Sequence, residues 1–223
     1  MASPITHIVL ALKILCLLPG TVDKQAFIVG TSFPDIRYAA GLSRELTHIE
    51  PVSWHDVVNE PSSFRAGMMF HNLVDILRMK HFEPYFYDRF DKSHSRIYVT
   101  YFPLVMKMAE DAVLHPVVHE WSDVYNYFDE IYEEELALCP DEAILCKWHH
   151  LIQDYCLDPP SLESIDAFVS GVGGLTLYTS PPEFNCINYF NELVGNKTFQ
   201  EKTLNFYDNF EALLSDEKLT TPR

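Results

Sequence analysis

The 223-residue chain carries 32 Asp and Glu residues against 16 Lys and Arg residues, a formal net charge of −16. Because proteins bind nucleic acid largely by neutralising phosphates with Lys and Arg, this charge argues against nucleic-acid binding by the chain alone. A bound divalent cation would reverse the charge locally, so phosphate esters remain possible substrates. Hydrophobic residues make up 48% of the chain and only 8 residues are Gly, which excludes a disordered or linker-like sequence.

The first predicted element is an N-terminal helix. Ser3 is placed to cap it, Pro4 takes its first position, and the apolar pattern runs to a break at Pro19-Gly20. The segment from Gly30 to Asp35 then predicts an abrupt turn. A short helical or looped stretch follows and ends near Gly41.

The middle of the chain predicts two longer helices. After an irregular segment from Thr47 to Pro61, with a turn of helix around Trp54, apolar residues recur at helical spacing from Ser63. This helix should end before Glu83-Pro84, because proline disfavours helical geometry in the residue before it. A second helix should run from Arg96 to His115, with a kink or a late start at Pro103.

The C-terminal half continues the helical pattern. Further helices are predicted at about 119–137, 140–156, 161–171, 182–194 and 197–214. No stretch alternates convincingly enough to predict a strand. We therefore expect an all-α protein, with one helical domain over residues 1–214 and a flexible tail over 215–223.

The cysteines indicate the cellular compartment of the protein. Five are present, an odd number without the paired short spacings of a zinc ribbon or a disulfide framework. No apolar stretch reaches the roughly 20 residues that span a bilayer. These features favour a cytoplasmic protein without a transmembrane segment, and they leave its oligomeric state open.

Several histidines and carboxylates are spaced as metal ligands could be. His71 and Asp75 lie four residues apart on a predicted helix, where both can face one ion, although a hydrogen-bonded surface pair would have the same spacing. His7 points at least partly inward on the first helix, as a metal ligand or as a buried neutral imidazole. Asp35 follows a tight turn and could simply cap the next helix, and His48 could be ordinary surface.

Other polar residues have simpler interpretations. Asp111 and His115 repeat the four-residue spacing at the end of a helix and are candidate ligands. His149 and His150 are expected to lie on an amphipathic surface. The acidic block from Glu130 to Glu135 is expected to form a solvated helix face.

Four sequence features occur in a specific order along residues 4–120. They are Thr6-His7, Gly30-x-x-x-Pro34-Asp35, His48 and Phe70-His71-x-x-x-Asp75. Together they resemble the bacterial zinc-dependent phospholipase C family, whose helical fold is related to that of zinc-dependent single-strand nucleases.

The resemblance implies a helical domain with clustered Zn²⁺ ions that hydrolyse a phosphodiester. It places Asp35, His48, His71 and Asp75 around one ion, with Asp75 bridging towards an ion held by His7. It also gives Asp35 the role of orienting or deprotonating the attacking water. In the same family pattern, His81 corresponds to a ligand of a further ion.

One departure from the family pattern affects the number of ions. The family has a later His-x-x-x-Glu pair, whereas this chain has His115-x-x-x-His119 with Pro116 between them. We therefore expect one or two zinc ions rather than three.

Three functions follow, in order of preference. The first is a metal-dependent hydrolase of a small phosphate ester or lipid head group. The second is a non-catalytic helical binding or interaction module with a degenerate metal site. The third is a His-Asp phosphohydrolase built on Trp54-His55-Asp56, for which the pair should lie inside a helix although nearby prolines make a turn the expected conformation.

Overall fold

The computed structural model describes residues 4–50, 52–89, 96–173 and 185–215, and within these ranges the protein is all α, with no strand. The α-helices are α1 (Pro4–Ile14), α2 (Lys24–Ser32), α3 (Arg37–Ala40), α4 (Arg44–Thr47), α5 (Trp54–Asn59), α6 (Ser63–Arg89), α7 (Arg96–Leu114), α8 (Trp121–Asn126), α9 (Glu133–Leu138), α10 (Glu142–Leu157), α11 (Leu162–Gly171), α12 (Cys186–Gly195), α13 (Lys197–Asp208) and α14 (Phe210–Leu214). Short 3₁₀ helices lie at Leu15–Leu17, Phe33–Ile36 and His115–Val117. The predicted all-α fold class is confirmed.

Polar side chains fix where many of these helices begin. Asp23 accepts a hydrogen bond from the backbone N–H of Ala26 and so caps α2. Asp141, Asn185 and Asn196 cap α10, α12 and α13 in the same way. Each cap satisfies a backbone donor that the first turn of a helix leaves without a partner inside the helix.

Helices α2 and α6 pack backbone against backbone, and two glycines permit this. A Cβ atom on Gly30 would lie 2.0 Å from the carbonyl oxygen of Phe64, and one on Gly67 would lie 2.2 Å from that of Phe27. Both distances are far inside van der Waals contact. The glycines therefore set the spacing of the two helices, and this contact brings the end of α2 next to the middle of α6.

Helix α7 joins the N-terminal and C-terminal halves of the protein, because α1, α12 and α13 all pack on it. A buried ion pair links α7 to α6: the Arg78 guanidinium donates two hydrogen bonds of 2.6 Å to the Glu110 carboxylate. Such bidentate pairing is what allows two charged side chains to be buried together.

Two predicted helix boundaries are wrong. Gly30 lies inside α2, and Asp35 is in a 3₁₀ helix that continues it, so the expected abrupt turn is absent there. Pro84 lies inside α6 rather than ending it. Proline removes one backbone donor, and the aromatic contacts of Phe82 and Tyr85 with Phe199 of α13 hold the helix on both sides of it.

The predicted helix at 119–137 is broken into α8 and α9. Side chains of α10 bond to the connecting segment: Gln153 donates to the carbonyl of Tyr125 and to the carboxylate of Asp129, and the His149 ring contacts the carbonyl of Phe128. Two of these bonds use the backbone carbonyls of Tyr125 and Phe128, which would accept hydrogen bonds within the helix if it were continuous.

Two further expectations concern the ends of the chain and the membrane. Ser3, the predicted cap of the first helix, and residues 216–223 of the predicted tail lie outside the described residues. Among the helices that are described, none combines the length and the apolar character needed to cross a bilayer.

Candidate metal centre

Five polar side chains from four segments meet beside the α2–α6 contact. His7 comes from α1, Asp35 from the 3₁₀ helix after α2, His48 from the residue that ends α4, and His71 and Asp75 from one face of α6. All are buried except Asp75, whose side chain is 23% exposed. The structure thus brings together five of the residues that the sequence marks as candidate ligands.

The donor atoms form two overlapping groups, His7 with His71 and Asp75, and Asp35 with His48 and His71. Within each group the atoms lie within 4.8 Å of one another. His71 Nε2 is 4.0 Å from Asp35 Oδ2 and 3.9 Å from Asp75 Oδ2, and His7 Nε2 is 3.7 Å from Asp75 Oδ1. These separations are too long for hydrogen bonds.

The same separations fit a shared metal ion. Zinc binds nitrogen and oxygen ligands at about 2.0–2.2 Å, so two ligands of one ion are about 3.4 Å apart at a tetrahedral angle and about 4.2 Å apart at most. The separations of 3.7, 3.9 and 4.0 Å lie inside that range. The donor set, imidazole nitrogen with carboxylate oxygen, also suits zinc.

His71 is oriented by a backbone carbonyl. Its Nδ1–H donates to the carbonyl oxygen of Thr31 at 2.9 Å, which leaves the lone pair on Nε2. That Nε2 atom is buried and has no hydrogen-bond partner among the described residues. Thr31 lies in the last turn of α2, where carbonyls lack intrahelical partners. Histidine ligands are commonly oriented in this way by a hydrogen bond to their second nitrogen.

His48 has a similar arrangement. The Thr47 hydroxyl lies 3.4 Å from the carbonyl of Arg44, to which it donates, and 2.9 Å from Nδ1 of His48. A hydroxyl that donates to a carbonyl can accept from an imidazole N–H. This leaves Nε2 of His48 as its donor atom for an ion.

The protonation states suit a cation. Burial lowers the pKa of His71 to about 3 and that of His48 to about 4, with the nearby carboxylates Asp35 and Asp75 opposing the shift. Burial alone would raise the pKa of Asp35, but the positive charge of the amino terminus lowers it to about 2, with smaller contributions from His71 in its protonated form and from Lys107. The pKa of Asp75 is likewise held well below its ordinary value. At neutral pH His48 and His71 are therefore neutral and Asp35 and Asp75 are ionised, the forms that bind metals.

Lys107 is a member of the site that the sequence analysis missed. Its ammonium lies 3.2 Å from Asp75 Oδ1, and its side chain is 16% exposed. A signal was present: Lys107 stands between apolar residues on a helix whose other side is core, and lysine is seldom buried without a charged partner.

Three predicted ligands lie elsewhere. His81 Nε2 contacts the carbonyl of Lys202 at 3.1 Å, and its ring packs on Phe206. His115 Nε2 contacts the carbonyl of Cys156 at 3.0 Å. The structure places neither residue in the two groups of candidate ligands. His81 points away because α6 continues as a regular helix beyond Asp75, which turns the two side chains to different faces.

The Asp111 carboxylate binds the first turn of α1 instead of facing the ligand groups. Its Oδ1 accepts from the backbone N–H and the hydroxyl of Thr6, both at 2.7 Å, and its Oδ2 accepts from the Tyr155 hydroxyl at 3.3 Å. A carboxylate from α7 thus caps α1, a position where negative charge is stabilised by the helix dipole. This capping gives Asp111 a structural role and fixes the helix that carries His7.

Two residues that were expected on the surface are buried, whereas Glu130, Glu133 and Glu134 of the acidic block are exposed as expected. His149 and Glu135 are buried and form a pair, with His149 Nε2 2.8 Å from Glu135 Oε1. The other ring nitrogen of His149 donates to the carbonyl of Phe128. His150 is exposed, as expected.

The Trp54-His55-Asp56 segment lies in α5, so its dyad is helical rather than in a turn. Asp56 is nevertheless used as part of a capping box, since its carboxylate accepts from the backbone N–H and the hydroxyl of Ser53. Both His55 and Asp56 are exposed. This local role gives the His-Asp phosphohydrolase hypothesis no support.

The cleft beside the cluster is narrow. It is lined by Pro4, His7, Thr31, Ser32, Asp35, His71 and Trp148, and the space between these atoms is about 160 Å³. The rings of His7 and His71 stack across it with their centroids 4.0 Å apart.

No protein-family model, curated protein or solved structure matches the chain. The resemblance to zinc-dependent phospholipases C therefore stays a prediction.

Proposed function

We propose that the protein is a zinc-dependent hydrolase of phosphate esters, with phosphodiesters of the phospholipase C type as its substrate class. The observation that supports this most is the convergence of five buried or partly buried His and Asp side chains from distant parts of the chain. Their donor atoms are separated by distances that suit ligands of one ion, and their side chains do not hydrogen-bond each other directly.

The ligand atoms can be assigned from their orientation. His71 Nε2 lies 4.0 Å from Asp35 Oδ2 and 3.9 Å from Asp75 Oδ2, and it belongs both to the group with Asp35 and His48 and to the group with His7 and Asp75. His7 Nε2 faces the other oxygen of Asp75. A zinc ion bound there would polarise a phosphoryl oxygen and lower the pKa of water to about 7.

Asp35 is better suited to bind the cation than to act as a base. A pKa lowered to about 2 makes its carboxylate a weak proton acceptor near neutral pH. It would therefore hold the ion and orient water through its second oxygen, which replaces the expected role in deprotonation.

A small phosphate ester or a lipid head group is the proposed ligand, because a dication offsets the negative charge of the surrounding protein. We also propose a cytoplasmic location. Cys16, Cys139, Cys146 and Cys156 are free thiols, as is usual in a reducing compartment.

A non-catalytic module with a structural metal site is the second candidate. The narrow cleft favours it, since its interior has essentially no room for a water-sized sphere, whereas pockets for small molecules usually enclose about 300–1,000 Å³. Structural zinc sites are closed, whereas catalytic sites keep one ligand position open. Zinc binding without turnover would therefore favour this candidate.

The test combines elemental analysis with activity. Purified protein should contain about one or more equivalents of zinc and should hydrolyse an aryl phosphodiester, and both properties should be lost on chelation and restored by zinc. His71→Ala should lose zinc and activity but remain folded, because one ligand and one oriented lone pair are removed.

His150→Ala is the matched control. His150 is exposed on α10, so its replacement should leave zinc content and activity unchanged. A wild-type protein without zinc, unaffected by chelators, would contradict the proposed function, as would full zinc content in His71→Ala.

A further inference from the structure

Lys107 lies where a second cation would be bound. Asp75 Oδ1 is 3.7 Å from His7 Nε2 and 3.2 Å from the Lys107 ammonium, so one carboxylate oxygen faces both groups. Lys107 comes from α7, which packs beside α6 through the Arg78–Glu110 pair one turn further along. The ammonium is therefore part of the packing between these two helices.

The cluster has two distinct cation positions. His71 has a single lone pair, on Nε2, because its Nδ1–H is bonded to Thr31. It can therefore serve only one ion, which it would share with Asp35 and His48, the two residues that form one ligand group with it. The second position has His7 and Asp75 Oδ1, the oxygen that already contacts Lys107.

The charges limit the number of ions. Asp35 and Asp75 contribute two negative charges, against which stand the Lys107 ammonium and the positive charge of the amino terminus that acts on Asp35. The neighbouring Arg78 and Glu110 cancel each other. One divalent ion adds two positive charges to carboxylates that are already offset, and a second ion would add two more in a buried environment, where like charges repel strongly.

We propose that the Lys107 ammonium takes the place of a second metal ion, so that the site holds one divalent cation. This inference rests on the proposed function, since it assumes that the cluster binds zinc. An ion bound to Asp75 Oδ1 at about 2.1 Å would be at most ~5 Å from the ammonium, given the 3.2 Å contact. The two cations would therefore compete for the same oxygen.

Substitutions at Lys107 test the inference through zinc stoichiometry. Wild type and Lys107→Arg should each bind one equivalent by isothermal titration calorimetry and by elemental analysis after dialysis. Lys107→Glu should bind two, because the ammonium that repels a second ion is replaced by a carboxylate beside Asp75. Lys107→Gln should bind the first ion about tenfold more tightly than wild type and a second ion more weakly, since one repelling charge is gone.

A double variant locates the second ion. Adding His7→Ala to Lys107→Glu should return the stoichiometry to one, because His7 is the ligand that belongs to the second position alone. Adding His150→Ala instead should leave it at two. Retention of two equivalents with His7→Ala would place the extra ion elsewhere and overturn the inference.

The outcomes separate this inference from the proposed function. Two equivalents in wild type, or a single equivalent in both Lys107→Glu and Lys107→Gln, would overturn the role of Lys107 and leave the hydrolase proposal standing. No zinc in wild type or in any variant would overturn both. If Lys107→Glu does not fold, a titration of Lys107→Gln that shows no second binding event overturns the inference.

Discussion

Acidification should destabilise the metal-free protein over a pH range that is set by the lowered pKa of His71. Burial lowers the pKa of folded His71 to about 3 from an ordinary value of 6.5. The unfolded chain therefore takes up a proton at a higher pH than the folded protein does. The stability that neutral His71 contributes is fully present above pH 6.5 and is lost progressively as the pH falls towards about 3.

The size of the effect follows from proton linkage. Each pH unit between the two pKa values costs about 1.4 kcal/mol for one group, so His71 accounts for about 2 kcal/mol between pH 6.5 and pH 5.0. His48, whose pKa is lowered to about 4, acts in the same direction. Asp35 does not contribute in this window, because its pKa is lowered from 3.8 to about 2 and its effect begins only below 3.8.

Urea denaturation in the presence of a chelator at pH 7.5, 6.5, 5.5 and 5.0 would measure this loss. His71→Gln is the matched variant, since its amide can still donate to the carbonyl of Thr31 but does not titrate. The free energy of unfolding of the variant should fall by about 2 kcal/mol less than that of wild type over the lowest 1.5 pH units. Equal slopes in the two proteins would refute the reasoning, because His71 would then not be buried in its neutral form.

Two further predictions concern the packing that holds the site. Gly30→Ala should lower the free energy of unfolding by about 2 kcal/mol, as measured by urea denaturation, because its Cβ would lie 2.0 Å from the Phe64 carbonyl oxygen and would force α2 away from α6. Asp111→Ala should lower it by about 3 kcal/mol, because α1 loses its cap and the hydroxyl of Tyr155 loses a buried acceptor. Zinc stoichiometry should be unchanged in Asp111→Ala, since Asp111 belongs to neither ligand group.

Gly30→Ala and Asp111→Ala each have a matched control substitution in the same protein. Gly195→Ala, at the end of α12, meets no atom within 4 Å and should change stability by less than about 1 kcal/mol. A loss as large as that of Gly30→Ala would show that the helix contact is not the cause. Asp111→Asn keeps one acceptor oxygen and should lose less stability than Asp111→Ala. An Asp111 variant that stays fully stable but loses zinc would instead make Asp111 a ligand.

The sequence predicts the helices well where one apolar stripe dominates. The helix that carries His71 begins at Ser63 as expected, because its apolar spacing and the preceding loop are local features. Its end, at Arg89 instead of before Pro84, depends on aromatic contacts with α13, which is more than a hundred residues away in the chain. The break between α8 and α9 likewise depends on hydrogen bonds from α10.

The site was predictable only in part, for similar reasons. Helical spacing alone places His71 and Asp75 on one face of α6, since their separation is fixed within the helix. The approach of His7, Asp35 and His48 was expected only from a resemblance, because tertiary packing brings these residues together. Lys107 was missed because its role depends on the approach of α7 to α6, which the chain pattern does not specify.

The candidate ligands come from four segments between His7 and Asp75, whereas α12, α13 and α14 supply none of them. An ion coordinated by these side chains would act as a cross-link that closes several loops within the first third of the chain. Since such a site cannot exist in the unfolded polypeptide, its binding energy would add directly to the cooperativity of that region. The ion would then cross-link the N-terminal part of the protein, whereas α12, α13 and α14 contribute no ligand and are held in place by packing that includes the ring contacts of Phe199, Phe206 and Phe210.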